Sequence, residues 1–180
     1  MLDKITFAKR YSKALFDLSK GDQTLDTVNS DLLRLKTVLQ QTPELIQALN
    51  NVSFPKTEKD KLVKPLVSNV SSKYVQNLLQ IIYACGRMNN LIELVNQFEK
   101  LYDYDRKIAR AEVVTAVKLN DQQMNRLKTA IAKRTGAKKV ILEPKVDQGI
   151  IGGVIVKSSN VIFDGSVKTR IDNVRQLLLN

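Results

Sequence analysis

Four of the chain's seven glycines fall in the stretch "DQGIIGGVIVKSSNVIFDG", together with Lys157. Glycines near a basic residue are where a phosphate-cradling loop would be sought, but such a loop needs Gly-x4-Gly-Lys-Ser/Thr at its centre. Here Gly149, Gly152 and Gly153 run into Val-Ile-Val, a strand-like run, whereas a dinucleotide fingerprint leads into a helix. The spacing predicts backbone roles instead: a turn at Gly149 and a bulge or close approach at Gly152 and Gly153. Gly165 supplies positive φ before a helix that Ser166 helps to cap. Other reactive groups are few. The chain has no His, so a Ser-His-Asp triad, a Cys-His nucleophile and an imidazole metal ligand are all excluded. The single Cys85 supports neither a disulfide framework nor a zinc site and reads as a small hydrophobe on an apolar stripe. Glu99, Asp103 and Asp105 are the one carboxylate group suggesting acid–base work. They are interleaved with Lys100, Arg106 and Lys107, the composition of a salt-bridged helix end. No catalytic residue, cofactor or metal site is expected.

Charge divides the chain. Residues 1–105 hold 14 basic against 12 acidic side chains, a surplus of two, while residues 106–180 hold 15 against 6, a surplus of nine. A near-neutral half joined to a strongly basic half suggests two units with different partners. In the basic half Lys133, Arg134, Lys138 and Lys139 surround Gly136. The cluster fits a solvated helix C-terminus, a docking patch for an acidic partner, or a nucleic-acid contact. The last usually comes with interleaved aromatics, and Phe163 is the sole aromatic residue of 106–180. No run of about eighteen apolar residues exists to span a membrane. The N-terminal segment is basic and amphipathic, but Asp3 and Asp17 interrupt the acid-poor composition of an import signal, so the chain reads as cytosolic.

The elements expected to position these groups follow from periodicity. Phe7, Tyr11, Ala14, Leu15 and Leu18 share one face of a first helix that Gly21 stops; Leu25, Val28, Leu32, Leu35 and Leu39 make a second to about Gln41. Thr42-Pro43 opens a short third helix, and a fourth runs from about Thr57 to Ser68, kinked or shortened by Pro65. The fifth covers about Ser71 to Cys85 with Gly86 at its C-cap, and a sixth runs from about Asn89 past Tyr102. Beyond residue 105 the pattern predicts a strand at about Arg110–Lys118, a helix from Asn120-Asp121 to Gly136, and a strand in "KKVILEPKVD" placed at an edge or bend by Pro144. Strands at about Gly152–Lys157 and Val161–Asp164 follow, joined by a Ser158-Ser159-Asn160 turn. A last helix carries Val167, Ile171, Val174, Leu177 and Leu178. The expected class is α+β, mainly α: a six-helix bundle over 1–105, then a β-α-β-β-β-α unit over 106–180.

Four motifs then stand in order: "AKRYSKALFDLS", "NLLQIIYACGRMNNLIELVNQFEKLYD", "RAEVVTAVKL" and "IIGGVIVKSSNVIFDGSVKTRIDNVRQLL". Together they resemble the delta subunit family of bacterial F-type ATP synthases, akin to the mitochondrial oligomycin-sensitivity-conferring protein, across essentially the whole chain. The resemblance implies a non-catalytic stator part without cofactors. In that family the N-terminal bundle takes the N-terminal helix of an alpha subunit into a groove between its first and fifth helices. Carried over, the groove residues are Tyr11, Ala14 and Leu18 with Leu78, Leu79 and Ile82. The C-terminal part would meet the C-terminal region of the b subunits, with Lys133, Arg134, Lys138 and Lys139 as candidate contacts. The implied location is the cytoplasmic face of the bacterial inner membrane, touched only through the complex, with no nucleic acid bound. The competing reading is a helical-bundle RNA-binding regulator of transcription antitermination. A bundle that reads RNA should itself be basic, and residues 1–105 carry a surplus of only two.

Overall fold

A computed structural model describes residues 4–51, 54–158 and 161–179, the side chains of residues 161 and 177–179 excepted. The chain divides into two compact units, Met1–Tyr102 and Asp103–Asn180.

The first unit is helical: α1 (Lys4–Gly21), α2 (Leu25–Gln41), α3 (Pro43–Asn50), α4 (Lys56–Ser68), α5 (Lys73–Ala84) and, after a 3-10 turn at Met88–Asn90, α6 (Leu91–Arg106), whose last turn passes the unit boundary. The heptad-like spacing of α2 puts Leu25, Val28, Leu32, Leu35 and Leu39 inside, where they meet Val75, Leu79, Leu94 and Phe98 in one apolar core. In α1 the buried face is rotated from the expected one. Phe7 and Leu15 point inward, but Ala8, Ser12 and Ser19 complete the buried stripe, while Ala14 and Leu18 are exposed and Tyr11 is half-buried. The serines are tolerated because their hydroxyls donate to the carbonyls of Lys9 (3.1 Å) and Phe16 (3.0 Å), so neither hydroxyl is buried unpaired. Pro65 lies in the last turn of α4, so the helix ends three residues later without a mid-helix break.

Helix α5 is fixed at both ends. Ser72 makes no side-chain cap; the carboxylate of Asp31, on α2 and only 3% exposed, accepts the backbone N–H of Ser71 (3.0 Å) and Ser72 (2.8 Å). An anion at this end also meets the positive pole of the helix dipole. At the C-terminus Gly86 N–H bonds Tyr83 O, Arg87 N–H bonds Ile82 O, and Gly86 has φ +63°. That pair of bonds is a Schellman motif, which requires the left-handed conformation glycine adopts without strain.

The second unit comprises β1 (Ile108–Thr115), α7 (Asp121–Thr135), β2 (Lys139–Val146), β3 (Val154–Ser158), β4 (Val161–Asp164) and α8 (Val167–Leu179). The sheet order is β2-β1-β3-β4, with β1 and β2 parallel across the α7 crossover and the other pairs antiparallel. The first strand starts and ends earlier than periodicity suggested, at the limits of its pairing with β2 from Ile108 opposite Lys139 to Thr115 opposite Val146. Pro144 sits on the edge strand β2, where its missing N–H breaks no ladder. Asn120 and Gln123 form a reciprocal capping box at the start of α7, and Gly136 ends it at φ +67°. Of the expected turn between the last two strands, Ser159 and Asn160 lie outside the described residues, as do the side chains of Leu177 and Leu178 in the final stripe.

The glycines serve geometry. A Cβ on Gly153, already at φ +83°, would stand 2.3 Å from the backbone oxygen of Gly165, so two backbone segments occupy the space a phosphate would need. Gly153→Ala should therefore destabilise the second unit by about 2 kcal/mol or more, whereas Gly21→Ala, with nothing within 4 Å of the new Cβ, should be close to neutral. Urea unfolding of both variants checks this. Just before lies a strained residue. Ile151 has φ +67° and ψ −45°, and Gly152 N–H bonds Ile150 O across it at 2.7 Å, a γ-turn that costs a β-branched residue about 1–3 kcal/mol. After β4, the Asp164 carboxylate accepts from Ser166 N–H (2.9 Å) and the Thr169 hydroxyl (2.8 Å), while Ser166 Oγ accepts the Thr169 N–H. The Ser166 bond, with Thr169 second, holds the Asp164 carboxyl below the ordinary carboxylate range.

Candidate functional site

Helices α1 and α5 run antiparallel. At one end the Tyr74 hydroxyl of α5 donates to Asp22, just past α1; at the other, Cys85 and Arg87 lie against Phe7 and Tyr11. Between them is an open groove of about 600 Å³ lined by Phe7, Arg10, Tyr11, Ala14, Cys85 and Arg87. Its floor is aromatic: the Phe7 and Tyr11 rings lie 4.3 Å apart, and the Arg87 guanidinium sits 4.8 Å from the centre of the Phe7 ring. Ala14 is the short side chain that leaves the groove open. Leu18, one turn on, is 56% exposed, and Ile81 on α5 is 45% exposed. With a rise of about 1.5 Å per residue, the antiparallel run sets Ile81 between the levels of Ala14 and Leu18. The result is an unfilled apolar strip between two helices, with arginines at one end.

The structure brings together part of the predicted set. Tyr11 and Ala14 line the groove and Leu18 continues its rim, but Leu78, Leu79 and Ile82 are 5%, 0% and 0% exposed and belong to the bundle core. They occupy the inward stripe of α5, which offers Ile81 outward, so the strongest apolar stripe of the helix is its core face. Cys85 also departs from expectation: it is the C-cap residue of α5 and exposed to the groove, not packed as a core hydrophobe. Two of the suspect carboxylates are ion-paired: Glu99 meets Lys36 at 2.9 Å and Asp103 meets Arg110 at 2.6 Å.

The α5 wall is held to α4 by the Tyr83 hydroxyl, which donates to Asp60 at 2.7 Å. That bond, aided by burial and the Asp60 charge, pushes the Tyr83 phenol up from 10.0 to about 12. The folded state keeps a proton that the unfolded chain loses near pH 10. The stabilisation is therefore complete below that value and disappears as pH rises toward about 12. Tyr83→Phe should flatten this alkaline loss of stability, read from urea midpoints on either side of the window.

In the second unit Lys133, Arg134, Lys138 and Lys139 are all exposed and gather where α7 ends and β2 begins. Arg134 stacks 3.9 Å above the Phe163 ring, and the backbone N–H groups of Lys138 and Lys139 both bond Lys107 O, which adds a further lysine to the cluster.

A family model described as ATP synthase delta (OSCP) subunit matches residues 7–178. The chain belongs to this family. The ATP synthase subunit delta of Lactiplantibacillus plantarum is 43% identical over 179 residues, covering 99% of this chain and 98% of that one. That of Limosilactobacillus reuteri is 41% identical over 178 residues, with 99% and 98% covered. Among solved structures, a chain in the Toxoplasma gondii mitochondrial ATP synthase hexamer superposes with a TM-score of 0.79 over 97% of this chain and 98% of that one. At 21% identity this last likeness speaks for the fold. As a delta (OSCP) family member the chain is a non-catalytic stator subunit of an F-type ATP synthase, and the RNA-binding alternative finds no support among these relatives. Among the described residues no helix is long and apolar enough to cross a membrane.

Proposed function

We propose that the chain joins the catalytic head to the peripheral stalk by gripping one neighbour with each unit. The first unit takes the amphipathic N-terminal helix of an alpha subunit into the α1/α5 groove, against Tyr11, Ala14 and Leu18 on one side and Ile81 on the other. The observation that supports this most is the groove itself: an open channel whose rim carries large apolar side chains in water. Exposed apolar strips of this kind mark partner sites, and helix-in-groove docking is the recurrent solution for them. The second unit meets the C-terminal region of the b subunits, with the surplus of nine positive charges over residues 106–180 favouring an acidic surface. The complex holds it at the cytoplasmic face of the bacterial plasma membrane, in contact with lipid only through its partners.

The work is mechanical. Rotation of a central shaft drags on the head, and a head free to turn would dissipate the proton gradient. A strut must outlast many turnovers, which calls for slow dissociation and an affinity near nanomolar, about −12 kcal/mol. Burying a few large side chains at about 1.5–3 kcal/mol each reaches that scale once ordering costs are met. Titration calorimetry of the chain with a peptide of the alpha subunit's N-terminus tests the groove. Tight one-to-one binding is expected, and absence of binding at micromolar peptide contradicts it.

A further inference from the structure

The last helix and the strained turn beside it form a second apolar surface, distinct from the α1/α5 groove. Every described side chain of α8 from Arg170 to Gln176 is exposed. Ile171 and Val174 are 51% and 55% exposed, and Val167 at the helix start is 38% exposed. These three stand at i, i+4 and i+7, one face of the helix. The stripe continues into the turn: Val167 N–H bonds Gly152 O at 2.9 Å, and a Cβ on Gly152 would lie 3.2 Å from a Val167 methyl. Ile151, next in the chain, is 63% exposed and is held outward by its left-handed backbone. A β-branched side chain in that conformation is disfavoured, and the isoleucine gains no burial in return. A helix of this length whose described apolar side chains are left exposed is marginal in water. Both features are accounted for if a partner covers them.

We propose that Ile151, Val167, Ile171 and Val174 form one docking patch for an acidic amphipathic helix. Charge selects the occupant. Lys168, Arg170 and Arg175 flank the stripe against a single Asp172, within residues 106–180, whose surplus is nine positive charges. Val and Ile present stiff, short ridges that lose little rotamer freedom on burial, which suits ridges-into-grooves contact with a helix. Four such side chains are too small an apolar area for anchorage in an anionic membrane, and the acidic Asp172 on the exposed helix works against it. The proposal rests on the reading that the second unit meets a stalk subunit, and it moves the energetic centre of that contact from the lysine cluster at the end of α7 to this patch. The lysines then steer approach and set salt dependence, while the patch sets the lifetime.

The test uses the full chain and the soluble C-terminal portion of the b subunit from the same enzyme, by titration and by analytical ultracentrifugation. For Ile171→Asp an affinity loss of about thirtyfold or more is expected, with unchanged affinity for the alpha-subunit peptide. Ile151→Gly relieves the strained turn, so its Tm should hold or rise while affinity for b falls about tenfold. A merely structural isoleucine would lose both together. A Lys133→Glu, Lys139→Glu double variant should slow association and weaken the salt dependence while leaving dissociation near its original rate. If the unaltered chain binds b and the Ile151 and Ile171 variants bind equally well, the patch is overturned and the stalk reading stands. If the unaltered chain ignores b, the stalk reading itself fails, and the proposed occupant with it. Self-association abolished by Ile171→Asp, or Ile171-dependent binding to phosphatidylglycerol vesicles, would assign the patch to a second copy or to lipid and overturn the proposal.

Discussion

Leu18→Asp is expected to abolish binding of the alpha-subunit helix while leaving the bundle as stable as before. Leu18 is 56% exposed in the free chain, so it contributes little to folding, and a polar replacement at such a position normally shifts stability by no more than about 0.5 kcal/mol. In the complex the same side chain would be covered. Its loss removes about 2 kcal/mol of burial, and a carboxylate placed in an apolar groove adds a desolvation cost of similar size. Together that is about a thousandfold in affinity. Ala14→Trp should act alike by filling the groove that the small side chain leaves open. Leu79→Asp is the contrast: Leu79 is 0% exposed and packed in the core, so a charge there should unfold the bundle and lose binding as a consequence. Circular dichroism and titration calorimetry on the three variants separate groove from core. Retained affinity in Leu18→Asp would remove Leu18 from the site.

Asp31→Ala carries the second large effect, and it falls on folding. The carboxylate is 3% exposed and accepts two backbone N–H groups at the start of α5, 2.8 and 3.0 Å away. Truncation leaves the Ser72 N–H buried without a partner and the Ser71 N–H partly so, and a buried unpaired group costs about 1–3 kcal/mol, so a loss of about 2–3 kcal/mol is expected. The effect should be local in amide exchange, with Ser71 and Ser72 losing protection first, because the rest of α5 keeps its core contacts and its Schellman end. Since α5 forms one wall of the groove, peptide affinity should fall only in proportion to the population with a frayed α5. Asp31→Asn, which keeps an acceptor oxygen, should recover part of the stability. An Asp31→Ala chain as stable as the original would mean that water replaces the cap.

The residues carried very unequal amounts of this in their order. Aliphatic spacing in α2 fixed its buried face without ambiguity, since Leu25, Val28, Leu32, Leu35 and Leu39 leave only one apolar stripe. The strands after residue 107 were legible from β-branched runs, and the glycine-rich stretch from the lack of a following helix. In α1 the same reasoning turned the helix too far. The apolar face read from spacing leaves out Ser12 and Ser19, whereas local hydroxyl-to-carbonyl bonds let both be buried. For α5 it could not separate a core stripe from a recognition stripe, because both are apolar and only packing decides that Leu79 points inward and Ile81 outward. The Asp31 cap joins residues forty positions apart, and the backbone of Ile151 is set by the approach of Gly153 to Gly165. Neither leaves a local pattern to read.

A stator subunit that transmits force and performs no chemistry is tested most directly by coupling. ATP synthase reconstituted into proteoliposomes without the chain should still hydrolyse ATP but fail to build a proton gradient. Adding back the full chain should restore ATP-driven proton pumping, and the Leu18→Asp chain should not. If pumping were the same with and without the chain, the two-handed link described here would be contradicted.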